Sequence, residues 1–337
     1  MFRKRQIKKL KRVILWLWVI TTPVVIVGSY TTYSAVSRFL TYQVRYSPKP
    51  GEMPLSMYVD YEWRRLTLRA QSYYLHYFNK PSSLKKINIV VKKQEMALLE
   101  SHMPQSGFEF IKGKIKIGDK LEKAKIKYRG DFIYHWGFDK KSTRVKTSKN
   151  YLFEGIREFN LQAPKFTSQL NNYLSYKLAK DLKLITPKTE LTRLEFNGTN
   201  RGIHIFVEQI SELTLRHRKN MPGDIYRGEI VGKDNFTNSG IANLFYSKDV
   251  WDKMAVNNHY YEGSMAPLKV FLDLILEKNS RDSAINISSF LDLEAWGRFS
   301  AFEALSQTRH YDYSHNWRLY YDPWKQKIIP IVWDPAG

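Results

Sequence analysis

The segment LTRLEFNGTNRGIHIFV, residues 191–207, carries the strongest local fold signal in this chain of 337 residues. Two runs rich in alternating apolar residues, Leu191–Phe196 and Gly202–Val207, flank the pair Asn197-Gly198. An Asn-Gly pair favours a tight hairpin because both central residues of that turn need a positive φ. The sequence therefore predicts a β-hairpin at this position.

The chain before this hairpin shows mainly the period-two alternation of β-strands. We predict a strand at Ile87–Val91, a short helix at Met96–Leu99, two strands within Phe108–Tyr128 joined at Gly118-Asp119, a strand at Glu158–Leu161 and a helix at Ser168–Leu184. These segments indicate a β-rich lobe over residues 86–210.

After Ile210 the apolar spacing becomes mostly helical. Helices are predicted at Ala266–Leu276 and Phe290–Ser306, before a last hairpin of Trp317–Tyr321 and Ile328–Trp333. We therefore predict an α+β fold of two lobes, with a helical lobe over residues 211–337. The Asn197-Gly198 hairpin is expected to belong neither to a sandwich nor to a barrel.

Composition excludes several classes of protein. Lys and Arg number 54 against 32 Asp and Glu, a net charge of +22, and 43% of the residues are hydrophobic, which is too apolar for a disordered chain. The chain has no Cys, so a disulfide scaffold, an iron–sulfur cluster, a cysteine zinc site and a thiol nucleophile are excluded.

The amino terminus has the pattern of a membrane anchor. Seven cations and no acid occur in residues 1–12, and no charged residue occurs from Val13 to Ser37. We predict a basic cytoplasmic tail at 1–12, a transmembrane helix at 13–33 and the rest of the chain outside the cytoplasm. The alternatives are a buried helix of a soluble domain and a cleaved signal peptide, and the length of the apolar run favours an uncleaved anchor.

Residues 34–85 are predicted to form a juxtamembrane stalk. They are rich in Tyr and Arg, with a Pro/Gly break at Ser47–Gly51 and a helix near Val59–Phe78. Such a surface can bind nucleic acid or an acidic polymer, but a stem lying against anionic headgroups is favoured, so no nucleic-acid partner is expected.

The densest group of chemically active residues surrounds the last hairpin. HYDYSHN, residues 310–316, precedes it and Asp334 follows it, so the hairpin brings Asp312, Asn316 and Asp334 to one edge. Asp and Asn oxygens are ligands for Mg²⁺, and an Asp can orient or deprotonate a hydroxyl nucleophile. The alternative is an Asp cap and a turn Asn of an ordinary hairpin. Zinc is not favoured because no His-Glu-x-x-His motif is present.

A series of short motifs resembles the CotH kinase family, named for spore coat protein H, from about Ile87 to the end of the chain. The motifs follow the family order: Arg129-Gly130, Lys140-Lys141-Ser142, Asn160-Leu161, Asn197-Gly198, Val207-Glu208-Gln209, Asp312…His315-Asn316 and Trp333-Asp334.

The resemblance implies an atypical protein-kinase-like fold that binds ATP and Mg²⁺ (or Mn²⁺) and transfers the γ-phosphoryl group to a hydroxyl of a protein or cell-envelope polymer. It implies that Asp312 is catalytic and that Asn316 and Asp334 contact the metal. Lys141 is expected to contact the nucleotide phosphates, with Lys140 and Lys146 as alternatives. Arg129 steadies phosphates or braces the lobe, and Glu208 contacts ribose or is structural.

Two departures from the family pattern support a second hypothesis. Pro335-Ala336-Gly337 follows Asp334, so the second acid of a Trp-Asp-x-Asp motif is missing, and the helical lobe is expected to be incomplete. ATP is also scarce outside the cytoplasm. The alternative function is a catalytically inactive, membrane-anchored envelope assembly protein that holds an acidic polymer on a basic surface.

Overall fold

The computed structural model describes residues 2–46, 53–78, 82–103, 109–117, 120–130, 135–230, 243–255, 265–277 and 281–335. The turn predicted at Gly118-Asp119 and the break predicted at Ser47–Gly51 lie outside these described ranges. The chain divides into two compact units, residues 1–83 and 84–337.

The first unit contains helices α1 (Phe2–Tyr46) and α2 (Leu55–Phe78). Helix α1 contains a candidate membrane span, Gln6–Arg45, whose most apolar 18-residue window has a mean hydropathy of 1.9. A membrane anchor and a signal sequence both have this character. Beyond the apolar segment, the two helices pack through Tyr42 and Tyr58, and Arg38 forms an ion pair with Glu62 at 2.8 Å. The helix predicted near Val59–Phe78 is confirmed.

A closed barrel of seven strands begins the second unit. The strands are β1 (Lys86–Val90), β2 (Ile111–Ile117), β3 (Lys120–Tyr128), β4 (Thr143–Thr147), β5 (Glu158–Gln162), β6 (Thr189–Phe196) and β7 (Thr199–Glu208), in the order β1-β2-β3-β4-β5-β7-β6, with helix α3 (Lys93–Ser101) after β1. Strands β6 and β7 form the predicted hairpin, in which Asn197 and Gly198 have φ of 49° and 76°.

The barrel corrects one expectation about this hairpin. Strand β1 pairs in parallel with β6, placing Ile87 opposite Leu194, and this pairing closes the sheet. The expectation that the hairpin would lie outside a barrel is therefore wrong. Alternation in the sequence identifies which face of each strand is buried, but it does not show that strands about a hundred residues apart will pair.

A second sheet of four strands lies in the carboxy-terminal part. Its order is β11-β10-β8-β9, with β8 (Ile225–Gly228), β9 (Trp251–Ala255), β10 (Trp317–Asp322) and β11 (Lys327–Pro330). The last hairpin is confirmed as β10 and β11. Strands β8 and β9 were not predicted, because they have four and five residues and show little alternation.

Five further α-helices follow α3 in the described part of this unit: α4 (Asn171–Asp181), α5 (Glu212–His217), α6 (Ala266–Leu276), α7 (Arg281–Phe290) and α8 (Leu293–Ser306). A core between barrel and second sheet buries Tyr176 of α4, Val207 of β7, Phe302 of α8 and Trp333. This core brings the segment after β11 against α4, which positions Asp334.

Candidate functional site

The Arg-Gly motif ends β3 at a close approach of two segments. Gly130 has a φ of +93°, and a Cβ atom on this residue would overlap the His135 ring. Only glycine adopts this conformation without strain and leaves room for the ring. Arg129 is thereby placed where the chain turns out of the barrel.

Ser142 joins this turn to the neighbouring strands. Its side chain is fully buried, and its Oγ accepts a hydrogen bond from the Ala163 backbone N–H at 3.0 Å. Its backbone carbonyl accepts from Arg129 N at 3.0 Å, and its N–H donates to the His135 carbonyl at 2.7 Å. The Ser of the Lys-Lys-Ser motif therefore holds together the end of β3, the loop and the exit of β5.

The two lysines of the motif bind the loop through backbone carbonyls. Lys141 Nζ donates to the carbonyls of Trp136 at 2.9 Å and Phe138 at 2.8 Å. Lys140 Nζ donates to the Pro164 carbonyl at 2.9 Å, and burial lowers the pKa of Lys140 to about 8. These contacts give both ammonium groups a structural partner.

A cluster of basic residues lies beside this loop and is called the basic pocket: Arg129, His135, Lys140, Lys141 and Lys165. Arg129 and Lys165 are only 9% and 8% exposed. Arg129 Nε and Nη1 are buried and have no hydrogen-bond partner among the described residues. Such unpaired donors are costly in isolation, so the pocket is suited to an anion.

Titration of the pocket reflects its excess of positive charge. Burial, with the charges of Lys140, Lys141 and Arg129, lowers the pKa of Lys165 well below its usual range. Burial, with Arg129 and Lys165, lowers the pKa of His135 to about 3, so this ring is neutral at pH 7. A bound anion would oppose these shifts.

Asp334 is held beside the pocket by α4 and by His310. Its Oδ1 accepts from Asn172 Nδ2 at 2.9 Å, its N–H donates to the Tyr176 hydroxyl at 2.8 Å, and its carbonyl lies 2.7 Å from His310 Nδ1. Burial raises the pKa of Tyr176, the Asp334 charge adds to this increase, and Arg129 opposes it. Asp334 and Arg129 thus act electrostatically on the same side chain.

Asn172 leaves one acceptor available beside Asp334. Its amide nitrogen also donates to Gln162 Oε1 at 3.0 Å, which uses both of its N–H groups. Its Oδ1 is buried and has no hydrogen-bond partner within the described ranges. An unpartnered amide oxygen next to a carboxylate is suited to a cation.

Asp312 organises the turn before β10. Its Oδ1 accepts from Ser314 N at 2.7 Å, Ser314 Oγ at 2.6 Å and His315 N at 3.1 Å. Partial burial favours a higher pKa, but the hydrogen bonds from Ser314 and His315 outweigh it and hold the pKa of Asp312 below its usual range. Asp312 is therefore a carboxylate at neutral pH.

Two histidines connect Asp312 with Asp334. His315 Nδ1 lies 2.8 Å from Asp312 Oδ1, and the His315 and His310 rings are 5.6 Å apart. His310 in turn contacts the Asp334 carbonyl, and Asn316 Nδ2 lies 3.3 Å from His310 Nδ1. One network of contacts therefore includes all three residues that the last hairpin was predicted to bring together.

The remaining predicted site residues have other surroundings. Glu208 is buried, and its carboxylate accepts from Lys188 N and Thr214 Oγ1, both at 2.8 Å, contacts that fit the structural alternative. Lys146 is exposed on the barrel and forms an ion pair with Glu158 at 3.3 Å. Neither contact involves the basic pocket.

The donor set fits a metal ion that is bound together with phosphate. No group of three or more His, Asp or Glu side chains able to hold a metal occurs in the part of the chain that the structure describes. The Asp334 carboxylate and Asn172 Oδ1 are hard oxygen ligands, and Mg²⁺ commonly takes one or two protein ligands and completes its shell with water and phosphate oxygens.

The sequence motifs do not mark Lys165, Asn172 or Tyr176 as site residues, and they include His310 only as the first residue of HYDYSHN. One available signal was helix spacing: Asn172, Ser175, Tyr176 and Ala179 lie on the buried face of α4. A polar residue on an apolar helix face needs a partner, which indicates a buried contact. Lys165 has no comparable signal, since a single Lys after a strand is usually solvent-exposed.

A groove of about 570 Å³ borders the network of Asp312, His315, His310 and Asp334 at His310. It is lined by one face of α4, including Leu174 and Ser175, and by residues 306–310, including His310.

A protein family and a known protein both match the part of the chain that contains this site. A family model described as CotH kinase protein matches residues 126–337. The match begins within β3, later than the Ile87 expected from the motifs. Inner spore coat protein H of Bacillus subtilis (strain 168) is 26% identical over 225 residues, which cover 65% of this chain and 60% of that protein.

Proposed function

This chain belongs to the CotH kinase protein family, and on this premise we propose that it transfers the γ-phosphoryl group of ATP to a hydroxyl group, using Mg²⁺ or Mn²⁺. The observation that carries the proposal is the basic pocket with Asp334 at its edge. The pocket has buried donors without partners, and Asp334 with Asn172 supplies oxygen ligands. Phosphoryl transfer needs these two kinds of group side by side.

Each residue has a role that its surroundings support. Arg129 and Lys165 contact the phosphates. Both are buried cations of the basic pocket, and neither has a carboxylate partner among the described residues. Lys140 and Lys141 shape the loop and add positive charge. When bound, the metal would neutralise charge on the phosphates and bridge them to Asp334.

Asp312 is the proposed catalytic residue. It is ionised at neutral pH and lies in the same network of contacts as Asp334. A carboxylate placed in this way accepts the proton of the attacking hydroxyl, while the oxygen of that hydroxyl forms the new bond to phosphorus and ADP leaves. Asn316 supports the site through His310.

We further propose that residues 86–210 and 211–337 act as the two lobes of an atypical kinase, with the nucleotide between the barrel and the second sheet. The position of the basic pocket at the end of the barrel supports this arrangement, as does Asp334 following the second sheet. The acceptor, a protein or an envelope polymer, would approach along the groove beside α4.

We also propose a membrane topology for the amino-terminal segments. Residues 1–12 form a cytoplasmic tail, 13–33 an uncleaved membrane span and 34–85 a stalk, so that the catalytic unit lies outside the cytoplasm. The length and apolar character of α1 support this topology, and the seven early cations give its direction.

The test uses the full chain in detergent micelles, with ATP labelled at the γ-phosphate and Mg²⁺ varied. We expect Mg²⁺-dependent ATP binding that Asp334→Asn abolishes. The matched control is Asp273→Asn, since Asp273 is an exposed residue of α6 that pairs only with Lys269 across one helical turn. Wild-type Mg²⁺–ATP affinity in Asp334→Asn would contradict the proposal.

A further inference from the structure

The outer surface of the barrel carries a second cationic region, made of Lys112 and Lys114 on β2, Lys123 and Lys125 on β3, and Lys146 on β4. All five side chains are exposed. This group is called the lysine face. It lies on the strands themselves, outside the basic pocket.

Strand register places these lysines directly opposite one another. Lys112 pairs with Lys125 and Lys114 with Lys123 across β2 and β3. Lys125 is also opposite Lys146 across β3 and β4. Like charges directly opposite on neighbouring strands are destabilising, so this arrangement costs stability in the free protein.

Carboxylates do not offset the cost at the centre of the face. Lys146 pairs with Glu158 at the edge, whereas Lys112, Lys114, Lys123 and Lys125 form no ion pair with any carboxylate among the described residues. Glu95 accepts a hydrogen bond from the backbone N–H of Lys112 at 2.9 Å rather than from its ammonium group. Four ammonium groups are thus available to an external anion.

The adjoining β1–β6 part of the same barrel shows that this pattern is not general. Lys86 on β1 forms an ion pair with Glu195 on β6, and Lys188 pairs with Glu154 at 2.8 Å and Glu190 at 3.4 Å. Exposed lysines there have carboxylate partners. On β2 and β3, by contrast, like charges lie directly opposite one another.

We propose that the lysine face binds a linear phosphate polymer that lacks bases. Neighbouring strands are about 4.8 Å apart and alternate residues along a strand about 6.7 Å, so the face presents cations at the spacing of a chain with closely repeated phosphates. The exposed positions of β2, β3 and β4 in the described residues carry no aromatic side chain, whereas single-stranded nucleic acids are typically bound by aromatic stacking platforms. Lysine binds phosphate as a point charge and imposes no fixed orientation, which suits a flexible chain.

This binding goes beyond the proposed phosphoryl transfer and does not depend on it. The face lies on the outer surface of β2–β4, and a polymer held there requires neither ATP nor Asp312. It also gives the non-catalytic hypothesis from the sequence a specific location.

Lysine footprinting on the full chain in zwitterionic detergent tests the proposal directly. The probe is inorganic polyphosphate, with acetylation of each lysine followed by mass spectrometry. We expect at least fivefold slower acetylation of Lys112, Lys114, Lys123 and Lys125, and unchanged acetylation of Lys86 and Lys188. Equal protection of all these lysines, or of none, would overturn the proposal.

Variants provide a second readout. The quadruple variant K112Q/K114Q/K123Q/K125Q should bind polyphosphate at least tenfold more weakly, after subtraction of binding by a peptide of residues 1–12. The control K180Q/K183Q/K219Q/K325Q removes the same charge from exposed positions outside the barrel strands and should bind as wild type. Unchanged ATP binding in both variants would show that they are folded. It would also show that the loss of polyphosphate binding does not come from the ATP site.

Two other ligands distinguish a base-free phosphate polymer from the alternative partners, a nucleic acid and an anionic membrane. Single-stranded DNA and vesicles containing anionic lipid are tested at matched phosphate concentration. Footprints on the lysine face that are stronger with either of these than with polyphosphate would overturn the assignment to a base-free phosphate polymer.

Discussion

The basic pocket and the lysine face have the same sign of charge but opposite relations to solvent. Arg129 and Lys165 are buried, and the loop carbonyls that hold Lys140 and Lys141 define the pocket's shape. Lys114 and Lys123 are exposed and are held only by their strands. Burial strengthens each interaction with an anion and makes it geometrically selective, whereas exposed charges act by their sum and are screened by salt.

This difference separates the two expected ligands. A buried pocket with unpaired donors suits a small anion of defined shape, such as the triphosphate of a nucleotide. An exposed row of lysines suits a long anion of variable shape. The basic pocket and the lysine face should therefore respond differently to substitution, salt and pH.

Loss of the proposed catalytic carboxylate should have the largest effect. Asp312→Asn is expected to lower the transfer rate by about 10²–10⁴-fold, the usual range for a general base, while ATP affinity changes little. Single-turnover transfer and equilibrium binding measure the two quantities. A variant that transfers phosphate at the wild-type rate would remove Asp312 from the mechanism.

Changing a buried cation should affect only the pocket. Lys165→Met removes the charge and keeps the side-chain volume, so ATP should bind about 10- to 150-fold more weakly, the equivalent of about 1.5–3 kcal/mol for a hydrogen bond to a charged group. Polyphosphate footprints on the lysine face should persist. Lys146→Met, at an exposed site on the barrel, is the control and should leave ATP affinity unchanged.

Salt should separate the two regions more gradually. With four lysine contacts and a slope of about 0.7 per contact, polyphosphate binding to the lysine face should weaken about 50-fold between 50 and 200 mM salt. ATP binding should weaken much less, since its contacts are buried. Equal salt dependence measured by titration would show that the distinction based on burial is wrong.

Lys140 should give ATP binding a pH dependence centred near pH 8. Burial lowers its pKa to about 8, so its positive charge is lost as the pH rises through 8 and phosphate affinity should fall, by at most about tenfold from pH 7 to 9. Lys140→Arg should abolish this decrease because guanidinium remains protonated. Binding that strengthens above pH 8 would contradict the assignment.

The smallest expected effect is a gain in stability on the lysine face. Lys114→Gln with Lys123→Gln removes one pair of opposed charges and should raise the free energy of unfolding by about 0.2–1 kcal/mol at low salt. Lys86→Gln, which breaks an ion pair with Glu195, should not stabilise the protein. Urea denaturation at low and high salt measures both, and a gain that persists at 1 M salt would not be electrostatic.

Local elements followed from the sequence because their signals are local. The Asn197-Gly198 turn, the helix Ala266–Leu276 and the last hairpin agree with the structure, since turn chemistry and side-chain periodicity act over a few residues. Strands β8 and β9 were missed because very short strands carry little periodic signal. Barrel closure was also missed, because pairing β1 with β6 depends on contacts between distant segments.

The candidate site shows the same division. The family motifs predicted roles for Arg129, Asp312 and Asp334, and these roles stay predictions. The burial of Ser142 in the Lys-Lys-Ser run became visible only in the structure. Only the tertiary structure placed Lys165 beside Arg129 and brought Asn172 to within 2.9 Å of Asp334, a residue 162 positions away in the chain. A side chain's partner, burial and pKa depend on which distant segments pack around it, and these are decided when the barrel, α4 and the second sheet form a common core.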